Sequence, residues 1–113
     1  MDLTCTDECI GGHAVCVLSG EIDLSTAGEF RRAAIDAMDR HGAALTLDLS
    51  QVTFMDCTGV GVLIFLRAEA RARGGHITLP GTPLRVSQLL ELTGLQSLFE
   101  PGSAPGTMAA TPV

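Results

Sequence analysis

Hydrophobic and polar residues alternate weakly over residues 2–9 and more strongly from Ala14 to Leu18, and Gly11-Gly12 lies between the two stretches. Two period-two runs joined by a two-glycine turn predict an antiparallel hairpin, which Gly20-Glu21-Ile22-Asp23 closes. The period then lengthens. Phe30, Ala33, Ala34, Ala37 and Met38 fall on one side of a helix that ends near His41-Gly42. Thr26 with Glu29 three places on fits a capping box, and Gly42 suits a left-handed closing position. Ala44 to Leu49 reads as a buried strand, and a second helix is expected from just after Asp56 to about Arg73, closed by Gly74-Gly75. Arg67, Arg71 and Arg73 lie toward its negative end, as the helix dipole favours.

His76 to Leu79 is a short strand cut off by Pro80, and a third helix follows with Thr82 as cap and Pro83 at its first position. Val86, Leu89 and Leu90 form its buried stripe, Gly94 ends it, and Leu95 to Phe99 is expected as a last short strand. Strands that alternate with helices predict an α/β fold with the antiparallel hairpin at one edge of the sheet. Residues 1–100 make one domain. From 101 to 113 the composition turns to Pro, Gly, Ala, Ser and Thr, which reads as a disordered tail.

At 113 residues the chain holds a single domain, and with 46% hydrophobic and 18% charged residues it has the driving force for a packed core. The run Val60 to Leu66 is too short to span a bilayer. No basic and apolar leader follows Met1, so a soluble, cytoplasmic protein is expected.

The net charge of −6 repels phosphate backbones, and the absence of Trp and Tyr removes stacking platforms, which argues against nucleic acid as a partner. No feature of the chain points to a membrane surface either. Six acids and no base fall within the first thirty residues. The four cysteines, Cys5, Cys9, Cys16 and Cys57, read as small buried thiols. Cys5, Cys9, His13 and Cys16 make a metal-like set on paper, but their irregular intervals straddle the hairpin turn, so no metal and no cofactor is expected.

Chemistry concentrates where a strand-like approach, Gln51 to Met55, meets Asp56, Cys57 and Thr58 and runs straight into an apolar helix. A helix start presents outward N–H groups and partial positive charge. Three readings compete for it. A phosphate loop would need more than the Gly59-Val60-Gly61 pattern, and small residues for close helix–sheet approach explain both glycines better. A catalytic thiol at Cys57 would lack the expected arginine six positions on, where Leu63 stands, and no resolving cysteine lies nearby in sequence. A regulatory docking surface is the third. At 100° per residue Gly59, Val62, Leu63, Leu66 and Ala70 cover the sheet, while Val60, Gly61, Ile64 and Ala68 point elsewhere. Those four are either covered by a neighbouring element or form an exposed apolar patch.

Four segments then align with one family: Gly20-Glu21-Ile22-Asp23, Leu47-Asp48-Leu49-Ser50, Phe54 through Val62, and Leu92-Thr93-Gly94-Leu95. From about Ala14 to Phe99 the chain resembles a STAS domain, and specifically the bacterial anti-sigma factor antagonists. The resemblance implies a mixed sheet of four to five strands with helices mainly on one side. It also implies a non-enzymatic switch that binds an anti-sigma factor, a serine kinase with a GHKL-type ATP site, and so frees a sigma factor. In that family the kinase phosphorylates the serine after the motif's aspartate, and a phosphatase restores binding. The regulatory centre maps to Asp56, Cys57, Thr58 and Gly59, and partner contacts to Glu21, Asp23, Val60, Gly61 and Ile64. Capping the first helix is the competing role for Asp23.

Cys57 occupies the place of the phosphorylated serine and cannot be an ordinary serine-kinase substrate. Either Thr58 accepts the phosphate or the phosphoswitch is lost. Loss is favoured, because one step along a helix turns a side chain by roughly 100°. Control through Cys57 oxidation is a third outcome. A stand-alone STAS subunit of a lipid-transport ATPase or stress-sensing assembly, and a thiol-based activity at Cys57, are the alternatives.

Overall fold

Gly11 and Gly12 adopt φ of 58° and 83°, the positive pair that a two-residue hairpin turn needs. They join β1 (Leu3–Ile10) to β2 (His13–Ile22) in an unbroken antiparallel register from Leu3↔Gly20 to Ile10↔His13. This computed structural model describes residues 2–95 and 99. After β2 come α1 (Ala27–His41), β3 (Ala44–Met55), α2 (Cys57–Ala72), β4 (His76–Thr78) and α3 (Leu84–Leu92). The sheet order is β1-β2-β3-β4, with β3 parallel to both of its neighbours. The expected last strand falls, apart from Leu95 and Phe99, outside the described residues, as does the tail.

One face of the sheet is sealed. Ala14, Cys16, Leu18 and Ile22 of β2 and Leu45, Leu47 and Leu49 of β3 are buried there. On that face α1 packs on β1 and β2, and α2 on β3 and β4. Phe30, Ala34, Ala37 and Met38 are the buried side of α1, with Ala33 half-buried. Val86 and Leu90 bury α3, and Leu89 is partly covered.

Four expectations are corrected. The strand that begins at Ala44 does not stop at Leu49. It continues to Met55 through two register irregularities, opposite Val17/Ser19 and Gly20/Glu21. Asp48 accepts hydrogen bonds from the Ser50 N–H (3.0 Å) and hydroxyl (2.6 Å) at the first of them. Each extra residue resets the alternation, so burial steps from Leu49 to Val52 to Met55.

Thr26 forms no capping box with Glu29. Its buried hydroxyl donates to the Glu21 carbonyl (2.7 Å) and accepts from the Asp23 N–H (3.0 Å), tying α1 back to the end of β2. Pro83, in extended conformation, is itself the cap residue of α3, while the Thr82 hydroxyl donates to the Leu79 carbonyl. Gly42 does close α1, but at φ 108° and ψ 167°, outside the left-handed helical region.

Two ion-pair clusters brace the helices. Arg73 bridges Asp39 of α1 (2.7 Å) and Glu69 of α2 (3.0 Å). Asp7 of β1 accepts from Arg40 (2.7 Å) and meets His41 (3.0 Å), so the last turn of α1 holds the edge strand. The Arg40 hydrogen bonds, with a smaller contribution from His41, hold the Asp7 carboxyl below its ordinary range. A carboxyl depressed by folding stabilises the fold above its unfolded value of about 3.9, and that contribution disappears as pH falls through the folded value. Asp7→Asn is therefore expected to reduce the loss of stability on acidification from about pH 5 to pH 2, read by denaturant titration at each pH. An unchanged pH profile would contradict the assignment.

Candidate functional site

The ends of β2 and β3 lie side by side, with Glu21 opposite Phe54 and Ile22 opposite Met55. The Asp56 N–H donates to the Ile22 carbonyl (3.2 Å), which anchors the start of α2 to the end of β2. Asp56 is extended (φ −109°, ψ −171°), and its carboxylate accepts from the N–H groups of Thr58 (2.9 Å) and Gly59 (3.4 Å). Its first duty is thus to cap α2, a role worth about 1 kcal/mol.

Gly59 and Gly61 differ. A Cβ on Gly59 would come within 2.6 Å of Met55 Cγ and 2.9 Å of Ile22 Cγ2, so this glycine lets the helix close on the strand ends. A Cβ on Gly61 would meet nothing within 4 Å. Close packing against the sheet, expected for both, explains only the first.

Cys57, Gly61, Ile64 and Ala68, spaced four, three and four apart, form the exposed stripe of α2. Val60 does not belong to it. It is 4% exposed and belongs to the core, so the buried arc of α2 runs through Gly59, Val60, Leu63, Leu66 and Ala70, with Val62 only half-buried. Val60 is a core residue and leaves the set of contact candidates. Thr58 is half-buried, one step round the helix from exposed Cys57.

Asp23 follows β2 directly and stands on the same side as the mouth of α2. Its carboxylate accepts from the Ser25 hydroxyl (2.6 Å) and N–H (2.9 Å), which lowers its pKa and keeps it charged at neutral pH. Its carbonyl accepts from Thr26 and Ala27, so it also organises the entry to α1. Both roles proposed for it are compatible.

Two apolar residues at this end of the sheet were not anticipated. Leu24 is 81% exposed and Phe54 is 40% exposed, alongside Ile64 at 42%. The signal for Leu24 was a lone leucine inside a polar turn. Phe54 faces outward because of the second irregularity in β3. On the flank, the Arg31 guanidinium stacks 4.2 Å from the centroid of the Phe65 ring. At the far end of the stripe lie Arg67 and Arg71. Burial and the neighbouring Arg71 lower the pKa of Arg67 without discharging it.

Cys5 is half-buried, Cys16 is buried, and Cys9 and His13 are exposed at the hairpin end. Among the described residues no three His, Cys, Asp or Glu side chains come together as a metal site requires. No helix among them is long and apolar enough to cross a membrane.

Known proteins are similar to this chain in sequence and in fold. An "Anti-sigma-B factor antagonist" of Listeria monocytogenes is 33% identical over 96 residues, covering 85% of this chain and 84% of its own. That of Bacillus subtilis is 30% identical over 83 residues, covering 74% and 75%. A crystal structure of an anti-sigma factor antagonist from Mycobacterium paratuberculosis superposes with a TM-score of 0.75 at 26% identity, over 94% of this chain and 88% of that one. The family model described as "Mlab, STAS domain" matches residues 8–100. With that match spanning most of the chain, from β1 through α3, and with relatives of 30% identity or more over most of both chains, this protein belongs to the STAS domain family.

Proposed function

We propose that the chain is an anti-sigma factor antagonist, which binds an anti-sigma factor through the mouth and exposed stripe of α2 and so releases the sigma factor. Gly61 carries the reading. A glycine inside a helix costs about 1 kcal/mol relative to alanine, and here the fold itself does not demand it. An approaching partner backbone would. Ile64 and Cys57 flank that opening, Phe54 and Leu24 extend the apolar area, and Glu21 and Asp23 supply acidic rim contacts that steer encounter.

The partner is a serine kinase of the GHKL type, and a phosphatase belongs to the same circuit where the switch is intact. Asp56, Cys57, Thr58 and Gly59 form the regulatory centre, and chemistry there is done to this chain by its partner. Association, not catalysis, is its activity. With cysteine at the acceptor position and Thr58 turned away and half-buried, the phosphoswitch is lost and binding is constitutive.

Titration calorimetry with the cognate anti-sigma factor tests the surface. Ile64→Asp should weaken binding by at least ~tenfold, or about 1.4 kcal/mol, with thermal stability retained. Equal affinity for both proteins would overturn the assignment. Incubation with the kinase and ATP, followed by mass spectrometry, tests the switch: phosphate on Thr58 would reject its loss.

A further inference from the structure

Among the described residues β1 is an edge strand, and its outer side is unusually receptive. The Asp2 carbonyl accepts from the Glu21 N–H (3.0 Å), which places these two as a hydrogen-bonded pair. By the alternation of antiparallel ladders, Thr4, Thr6, Glu8 and Ile10 then bond toward β2, while Leu3, Cys5, Asp7 and Cys9 turn their N–H and C=O groups to the open edge. Edges are ordinarily blunted by proline, lysine, bulges or short length. β1 runs for eight residues with no proline, no basic residue and no register shift. Its one charge facing α1, Asp7, is already matched by Arg40.

A groove of about 560 Å³ lies along this edge, between Leu3 and Cys5 of β1 and Gly28, Glu29, Arg32 and Ala33 of α1. Leu3 and Cys5 are half-buried beneath it. Burial, and then the Glu29 carboxylate, push the Cys5 thiol up, so it stays protonated and forms a neutral floor. An added strand would complete the ladder with its backbone and place alternate side chains under α1.

Charge selects the occupant. Glu29 and Asp36 line the groove against the single Arg32, and Asp2 and Glu8 lie at the start of β1 and on it. A second copy would set the same acids of two chains, each of net charge −6, against one another. We propose that the open edge of β1 and the groove under α1 take up, by strand addition, an extended segment of a partner protein that alternates small apolar and basic residues. This surface involves none of the α2 stripe and stands independently of it.

Amide exchange by NMR on the full chain, with a capped hexapeptide alternating arginine and valine as probe, tests this. Saturating peptide should slow exchange at Leu3, Cys5, Asp7 and Cys9 by at least ~tenfold. Cys5→Pro removes one outward N–H without touching the β2 ladder, and should weaken binding at least ~tenfold, while Cys5→Ala stays within about threefold. The exchange measurement on the unmutated chain decides the matter if Cys5→Pro does not fold. The proposal falls if those amides are unaffected, if a glutamate–valine hexapeptide binds as well, or if they are protected in the free chain. Protection that rises with protein concentration would show a second copy there instead, and would equally overturn it.

Discussion

Phe30→Ala is expected to lower the free energy of unfolding by about 3–5 kcal/mol. Phe30 is 0% exposed and sits on the inner side of α1, within the same core as the β2 and β3 leucines. Phe30 is one of only four aromatic residues, all phenylalanine, and Phe54 is partly exposed. Much of the remaining core is alanine and single leucines, which cannot collapse into a space the size of a phenyl ring. A domain of this size has a total stability of about 5–15 kcal/mol, so a large share would go. Urea titration reads the change, and a loss below about 1.5 kcal/mol would show that the core relaxes far more easily than its packing implies.

Gly59→Leu should carry the second largest penalty, about 3 kcal/mol, at the upper end of what overpacking costs. The first added carbon already falls 2.6 Å from Met55 Cγ and 2.9 Å from Ile22 Cγ2. Met55 can swing aside in part. Ile22 is fully buried and has less room to move, so the first turn of α2 must lift off the strand ends. Gly61→Ala, two residues on, should instead stabilise the chain by about 0.5–1 kcal/mol, because the site is open and alanine is the better helix former. Thermal melts of the two variants should therefore move in opposite directions. A shared direction would mean that the start of α2 is packed differently from the account above. The pair also separates fold from function, since binding of an anti-sigma factor should suffer in both variants but stability in only one.

Much of the architecture follows from local signals. The hairpin is readable because Gly11-Gly12 supplies a turn that few other residues can make, and the flanking period of two needs no outside help. The inner side of α1 follows from its period. The start of α2 at Asp56 follows from the chemistry of a carboxylate beside free N–H groups. These features depend on residues a few places apart, and so they survive without knowledge of the rest of the chain.

The errors share an opposite cause. Thr26 has the right residue type for a capping box, yet its hydroxyl is claimed by the Glu21 carbonyl, five residues back at the end of another element. The strand through Ser50-Gln51 looks broken because the alternation is interrupted there, and only pairing with β2 carries it on to Met55. Val60 and Ile64 are both apolar and both lie away from the sheet on a helical wheel. The packed fold buries the first and leaves the second exposed. The same pairing turns Phe54 outward, so the contact surface proposed for this protein is only partly readable from its motif.

By itself the sequence determined the order of strands and helices, the hairpin and the capped mouth of α2. Tertiary structure alone decided which apolar residues remain uncovered around that mouth. The reason is one of range. Turns, caps and periods are set by neighbours along the chain, whereas burial is set by whichever distant element arrives to pack against a side.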